Sequence, residues 1–256
     1  MTEYTPENTP DSPAPVQANA DVAVESDFDF NISQRPDFAL LEVQLQPGQQ
    51  INAERSAMAT MSPNIDLKSG FKGGLKASVG RALGGESIII NTFTAQNGPA
   101  EVTFASGQLG DMVHYHLRGN SLMLQRGAYV AGSTTVEVTG KWQGAKGFFS
   151  GEGLVLLRAH GQGDVFFNSY GAILEYDLAG EDMFVDTGYI VAFEDTLEYR
   201  VTTLPGLKTG GKVKSFFFGG EGLVTRFTGQ GKLWVQTRAV NPFLTWVYPY
   251  RPASNN

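Results

Sequence analysis

The chain of 256 residues contains no cysteine, which excludes a disulfide framework, a thiolate nucleophile and a thiolate metal site. It also lacks an apolar run of the roughly 18–20 residues that a transmembrane helix needs. Its opening, Met-Thr-Glu-Tyr-Thr-Pro, has neither the basic and apolar regions of a secretory signal nor the arginine-rich character of an organelle transit peptide. From these absences we expect a cytoplasmic protein.

Lysine and arginine are missing from the N-terminal segment. Residues 1–30 contain no basic residue and seven acidic ones, namely Glu3, Glu7, Asp11, Asp21, Glu25, Asp27 and Asp29. The other 226 residues hold 19 acidic and 19 basic side chains, so the formal net charge of −7 belongs to the tail. Because the body is formally neutral, it offers no broad electrostatic surface for nucleic acid, and we expect no nucleic-acid partner.

Both ends of the chain differ from its middle. Residues 1–26 are rich in Pro, Ala, Asn, Asp and Glu. Such a composition buries too little apolar area to offset its ordering entropy, so we expect a disordered acidic tail that solubilises the protein or binds a partner. Residues 241–256 include Phe243, Trp246 and Tyr250, and we expect part of this aromatic segment to pack on the body.

Between the ends, residues 27–240, one pattern recurs three times: a glycine–glutamate corner, an apolar strand, a glycine turn and a second strand. The copies fall within residues 40–106, 120–171 and 182–238. Because a repeat of this length determines the architecture, it is interpreted before any local motif. The corner glutamates are separated by 66 and 69 residues, which is longer than the repeats of open solenoids.

Alternation of apolar and polar side chains predicts strands rather than helices. Leu41, Val43 and Leu45 alternate with polar residues, and residues 51–61 are predicted as the returning strand. We therefore predict an all-β fold, in which three pseudo-symmetric β repeats form one compact domain of the double-stranded β-helix or sandwich type. The only helix that we predict is a short one near residues 75–83.

The repeated residues themselves favour structural roles. Glu86, Glu152 and Glu221 each sit beside glycine at a strand entry, where a carboxylate can accept backbone N–H groups and fix a corner. The alternative is that the three carboxylates converge on a ligand or metal. Gly161-Gln-Gly163 and Gly229-Gln-Gly231 are predicted as hairpin turns, because glycine tolerates the positive φ that tight turns require.

Lysine and phenylalanine cluster just before the second and third corners. These residues form the candidate contact surface, which consists of Lys146, Phe148, Phe149, Lys212, Lys214, Phe216, Phe217 and Phe218. Adjacent strand residues face opposite ways, so at least one phenylalanine of each cluster is expected in the core or in a homo-oligomer interface. Aromatic side chains beside lysines also suit a protein partner or a membrane surface.

One histidine pair is a candidate for metal chemistry. His114 and His116 are separated by two positions and share one face of a predicted strand. Two imidazoles can ligate a metal, but neither nearby Asp111 nor distant His160 completes a recognisable ligand set. We interpret the pair as surface histidines and assign no metal ligand, cofactor or catalytic residue. No nucleophile elbow, Walker loop or paired-carboxylate motif is present, so we do not expect an enzyme.

Several short sequence motifs follow one another along residues 38–240. They are residues 41–48, Ala57-Met58, Met61-Ser62-Pro63, residues 84–87, residues 126–131, residues 149–154 and residues 218–224. In these motifs the chain resembles the bacterial members of the altered-inheritance-of-mitochondria twenty-four family, which are mostly of unknown function. The resemblance implies an all-β fold like that of the tryptophan RNA-binding attenuation protein, a short variant of the double-stranded β-helix. It implies no catalytic residues, although mitochondrial relatives look like inner-membrane organisation factors.

Three functional hypotheses follow. The first is a non-catalytic scaffold that self-associates through its β domain and contacts an unidentified protein partner through the candidate contact surface. The second is a peripheral membrane-associated protein that uses the same lysines and phenylalanines. The third is a β module that binds a small ligand or a metal on its internal pseudo-threefold axis.

Overall fold

The structure is a computed structural model that describes residues 13–15, 25–70, 90–141, 156–203 and 223–251. Within these ranges, β-strands dominate, and the single α-helix, α1, spans Val240–Val247. Two 3-10 turns cover Thr187–Tyr189 and Tyr248–Tyr250. The strands are β1 (Asp29–Ser33), β2 (Leu40–Leu45), β3 (Gln50–Glu54), β4 (Met58–Met61), β5 (Ile65–Gly70), β6 (Ile90–Ala95), β7 (Ala100–Ala105), β8 (Met112–Gln125), β9 (Tyr129–Ser133), β10 (Val136–Lys141), β11 (Leu156–Asn168), β12 (Ile173–Ala179), β13 (Met183–Asp186), β14 (Ile190–Glu194), β15 (Leu197–Thr203) and β16 (Leu223–Gln236).

The strands form two antiparallel sheets. The smaller has four strands in the order β1-β2-β7-β4. The larger has twelve, along the path β12-β16-β14-β8-β11-β9-β3-β6-β5, with β10 beside β11 and with β13 and β15 beside β16. Among the strands that the structure describes, neither path closes on itself. The predicted all-β class is therefore confirmed, and the short helix predicted near residues 75–83 lies outside the described residues.

Alternation produces the inner face of the smaller sheet. Leu41, Val43 and Leu45 on β2 are fully buried, whereas Gln44 between them is exposed. β7 lies antiparallel beside β2 and pairs Val43 with Val102, so apolar side chains meet on one face of the pleat. The strand predicted over residues 51–61 is instead two strands, β3 and β4, which belong to different sheets.

The Gly-Gln-Gly sequences bend strands and do not reverse the chain. β11 continues through Gly161 and Gly163, whose φ angles are 139° and 133°, and β16 continues in the same way through Gly229 and Gly231. β8 stays paired with β11 on both sides of a register shift between His160 and Gln162, so the hairpin prediction is wrong here. A bulge of this kind lets one strand pair with β10 before the bend and with β9 after it.

Among the described residues, three clusters of buried apolar side chains form the core. The first lies under β1 to β7 and includes Leu41 and Phe104. The second centres on β8, β9 and β11 and includes Trp234, and the third packs Phe193 and Phe227 beneath β13 to β16. Within the described ranges, no helix is long and apolar enough to cross a membrane.

Candidate metal centre

β8 and β11 bring the histidine pair next to a carboxylate. In their antiparallel register, His116 lies opposite Asp164, and His114 lies opposite Phe166. Paired residues of neighbouring strands point to the same face, and residues two positions apart along a strand share that face. The side chains of His114, His116 and Asp164 therefore converge on one face of the ladder.

One carboxylate oxygen joins the two imidazoles. Oδ1 of Asp164 lies 2.8 Å from Nε2 of His114 and 2.7 Å from Nδ1 of His116. One ligand atom from each residue can be chosen so that all three lie within 4.8 Å of one another. The side chains of His114 and His116 are 5% and 8% exposed, less than the residues as a whole, and that of Asp164 is 0% exposed.

The second oxygen of Asp164 is held by the chain segment that precedes β1. Oδ2 accepts hydrogen bonds from the Ser26 hydroxyl at 2.7 Å and from the Asp27 backbone N–H at 2.8 Å. Burial raises the pKa of Asp164, but the hydrogen bonds from His114, His116 and Ser26 outweigh this effect and lower the pKa below its ordinary value. Asp164 is therefore an ionised carboxylate with its Oδ1 directed at the histidines.

A second carboxylate faces His116 from the opposite side. Oε1 of Glu25 lies 3.5 Å from Nε2 of His116. The other oxygen of Glu25 accepts hydrogen bonds from the Arg118 guanidinium, which lower the pKa of Glu25. His116 thus lies between two carboxylates, one at each ring nitrogen.

Aromatic rings enclose His114. The centroid of its imidazole lies 4.7 Å from that of Phe30 and 5.0 Å from that of Phe166. Nδ1 of His114 is buried and has no hydrogen-bond partner among the described residues. The nitrogen of His114 that faces Asp164 is the other one, Nε2, so the unpaired Nδ1 lies on the side of the ring away from the carboxylate.

The comparisons with known proteins agree with this fold. Residues 30–238 match the family model described as "Mitochondrial biogenesis AIM24". The chain belongs to the AIM24 family. An uncharacterised protein of Streptococcus pyogenes serotype M6 is 26% identical over 242 residues, which cover 91% of this chain and 95% of that protein.

A solved structure extends the similarity to three dimensions. The crystal structure of a Streptococcus pyogenes protein superimposes on the AIM24 chain with a TM-score of 0.71 at 24% identity, over 88% of this chain and 100% of that one. At this identity the likeness supports the fold alone. The family resemblance inferred from the motifs is thus confirmed, and these relatives are bacterial.

The AIM24 chain departs from the sequence-based interpretation of its histidines. His114 and His116 share a strand face, as predicted, but their side chains are buried, because Phe30, Phe166 and the segment before β1 cover them. Asp111 binds Arg35 at 2.6 Å, and His160 is exposed beside Ser121. The third candidate ligand is Asp164, which was not among the residues predicted from sequence.

Little in the sequence could have identified Asp164. It directly follows Gly161-Gln-Gly163 in the second copy, whereas Lys232 follows Gly229-Gln-Gly231 in the third, and this difference was the only visible sign. The register between β8 and β11, which puts Asp164 opposite His116, depends on long-range pairing that local patterns do not encode.

The other predicted site residues fall outside the described ranges. This is true of the corner glutamates Glu86, Glu152 and Glu221, and of the candidate contact surface. The residues concerned in that surface are Lys146, Phe148, Phe149, Lys212, Lys214, Phe216, Phe217 and Phe218.

Proposed function

We propose that this AIM24 protein is a non-catalytic β module that binds one divalent transition-metal ion of the Zn²⁺ class. The ligands are His114, His116 and Asp164. The observation that carries the proposal is the convergence of their ligand atoms within 4.8 Å on two paired strands. Rigid strands hold such atoms more accurately than loops do.

The chemistry of the donor set favours this class of ion. Imidazole nitrogen and carboxylate oxygen together suit Zn²⁺, Fe²⁺, Ni²⁺ and Cu²⁺, whereas Ca²⁺ and Mg²⁺ prefer ligand sets made of oxygen alone. The chain has no cysteine to select a softer ion. Asp164 supplies the negative charge, because its pKa is lowered in the folded protein, and a cation at Oδ1 would offset the cost of burying that charge.

Burial supports a binding role without turnover. A set of three protein ligands leaves a fourth position for water, as in catalytic zinc sites. However, the three side chains are at most 8% exposed, and Ser26 and Asp27 close over the second oxygen of Asp164. A substrate would have to displace these groups to reach the ion, so we assign the centre a structural or sensing role.

Metal titration tests the proposal directly. We expect the purified chain, stripped with chelator, to take up one Zn²⁺ per molecule in calorimetry and to give the absorption bands of tetrahedral Co²⁺ when Co²⁺ is used instead. His116→Ala should abolish both readouts while circular dichroism confirms folding. The matched control is His160→Ala, because His160 is exposed and lies outside the cluster.

Two results would refute the metal proposal. One is a folded wild-type chain that binds neither Zn²⁺ nor Co²⁺ stoichiometrically. The other is His160→Ala reducing uptake as much as His116→Ala does, because uptake would then be a property of surface histidines in general.

A separate observation favours self-association as a second function. The C-terminal aromatic surface consists of Phe243, Leu244, Trp246, Tyr248 and Tyr250, with 43% to 77% of each residue exposed. The ring of Phe243 lies 6.0 Å from that of Tyr170 on the body. An isolated helix of eight residues is marginal in water, so a partner that covers this face would stabilise it.

We propose a second copy of the chain as that partner. A lipid surface is less suitable, because residues 237–251 carry only two cations, Arg238 and Arg251, and Arg251 stacks on the ring of Tyr248. Each cation contributes only about 1 kcal/mol to binding an anionic membrane. This proposal keeps the predicted homo-oligomer but moves its interface from the β domain to the C-terminal aromatic surface. The predicted scaffold role at the candidate contact surface stays a prediction.

Light scattering after gel filtration tests self-association. We expect a mass above that of the monomer for the wild type and a monomer for Trp246→Ser combined with Tyr250→Ser. Leu109→Ser is the matched control, since Leu109 is 61% exposed but lies outside the aromatic surface. A monomeric wild type, or flotation of the chain with anionic liposomes that is lost in the double variant, would contradict self-association.

A further inference from the structure

The segment just before β1 makes contacts that converge on the metal centre. Ser26 and Asp27 both donate to Oδ2 of Asp164, and Glu25 approaches Nε2 of His116. The segment is fixed to the body by Oδ2 of Asp27, which accepts the Ser133 hydroxyl, and by the Asp27 carbonyl, which accepts from Gln49 at 2.8 Å. Residues 25–27 are called the clasp below.

Glu25 is oriented by a separate contact. The Arg118 guanidinium donates to Oε2 of Glu25, with distances of 2.8 Å from Nε and 2.7 Å from Nη2. Because Arg118 follows His116 by two residues on β8, it anchors the carboxylate above the same strand face. The other oxygen, Oε1, is left pointing at Nε2 of His116.

Each ring nitrogen of His116 faces a different carboxylate, Asp164 at Nδ1 and Glu25 at Nε2. Nδ1 faces Asp164, where the ion would bind, so it must be free of hydrogen when the metal is present. The ring proton then resides on Nε2 and can be donated to Glu25. A carboxylate that receives the second N–H of a ligating histidine fixes its tautomer and raises its basicity, and removing such a partner typically costs 10–100-fold in metal affinity.

We propose that the clasp and the metal ion bind cooperatively, with Glu25 as the positioning residue for His116. This inference rests on the proposed metal site and adds a regulatory consequence. The clasp stabilises the bound ion through Glu25 on His116 and through Ser26 and Asp27 on Asp164. Since coupling between two binding events is reciprocal, the ion must hold the clasp on the body by the same factor.

The forward arm of the test measures Zn²⁺ affinity by competition with a chelating dye. We expect Glu25→Gln to weaken Zn²⁺ binding about 10–100-fold and Glu25→Asp to restore part of that loss. Asp29→Asn is the matched control, because it removes an exposed negative charge four residues away that does not touch the centre. It should leave the affinity within about twofold, whereas an equal loss in both variants would reduce the effect to long-range charge and overturn the proposal.

The reciprocal arm measures exposure of the clasp. Glutamyl endopeptidase cleaves after Glu25 only when the clasp is off the body, so we expect Zn²⁺ to slow this cleavage about 10-fold or more. In His116→Ala, the same addition of Zn²⁺ should have no effect on the rate.

The outcomes separate this inference from the metal site itself. Tight Zn²⁺ binding with unchanged affinity in Glu25→Gln and unchanged cleavage after Glu25 would overturn the clasp and leave the metal site standing. A wild-type chain that takes up no Zn²⁺ would overturn both. Weakened affinity together with metal-dependent protection supports the clasp.

Discussion

Replacing Asp164 with alanine should destabilise the protein even without metal. Asp164 accepts hydrogen bonds from His114, His116, the Ser26 hydroxyl and the Asp27 N–H. Ser26 and Asp27 lie near the surface and can turn to water, but the histidine side chains are at most 8% exposed. A hydrogen bond to a charged group contributes about 1.5–3 kcal/mol, so losing both histidine bonds should lower the free energy of unfolding by about 3–6 kcal/mol.

Urea unfolding in the presence of EDTA, followed by circular dichroism, measures this loss without any contribution from metal. Asp177→Ala is the matched control, because Asp177 lies exposed on β12. We expect this control to stay within about 0.5 kcal/mol of the wild type. If Asp164→Ala unfolds at the wild-type urea concentration with the same slope, then the hydrogen bonds from the histidines to this carboxylate do not stabilise the folded protein.

The same variant carries a pH signature. The pKa of Asp164 is lower in the folded protein than its ordinary value, which is about 3.9 in an unfolded chain. A lowered pKa stabilises the folded state above about pH 4, and this stabilisation is lost as the pH falls through the folded pKa. When the pH is lowered below about 4, the free energy of unfolding should therefore fall less in Asp164→Ala than in the wild type.

Two further predictions concern positions outside the centre. Burial, followed by the hydrogen bond to Glu194, raises the pKa of Tyr115 to about 12. Because this folded pKa exceeds the unfolded value of about 10, Tyr115 contributes stability below pH 10 that disappears as the pH approaches 12, and urea midpoints at pH 9 and pH 11 should differ less in Tyr115→Phe. Gly161→Ala should destabilise more than Gly180→Ala, by about 1–3 kcal/mol for steric overlap. Both glycines have positive φ, but a Cβ on Gly161 would lie 2.4 Å from the Thr135 carbonyl oxygen, whereas one on Gly180 meets nothing within 4 Å. Equal losses in thermal or urea unfolding would show that φ strain alone matters at both positions.

Local sequence patterns predicted what depends on local chemistry. Alternation at Leu41, Val43 and Leu45 predicted both the strand and its buried face, because the side-chain period of a strand is a local property. The same patterns failed at Gly161 and Gly163, where a bulge and a turn require the same positive φ. The partner strand, β8, decides between the two outcomes.

The metal centre illustrates the same limit. His114 and His116 were recognisable as a pair from their spacing of two residues. Asp164 joins them only because the register of β8 and β11 aligns it with His116. Burial of the pair depends on Phe30 and on the residues before β1, which the composition of the tail did not distinguish from the rest of residues 1–26.

The ladder between β8 and β11 touches every part of the core. On β8, Met112 packs in the first cluster, Leu122 in the second and Met123 in the third. On β11, Phe166, Phe167 and Leu156 are distributed over the same three clusters. Separating these two strands would therefore open all three clusters at once.

Because this ladder joins all three clusters, we expect the described sheets to unfold together and not one part before another. We expect the backbone amides of β8 and β11 to exchange hydrogen with solvent only through global unfolding, while amides near the chain ends exchange through local opening. An ion bound by residues of both strands would then slow exchange throughout the described sheets, because it would stabilise the one opening that they share.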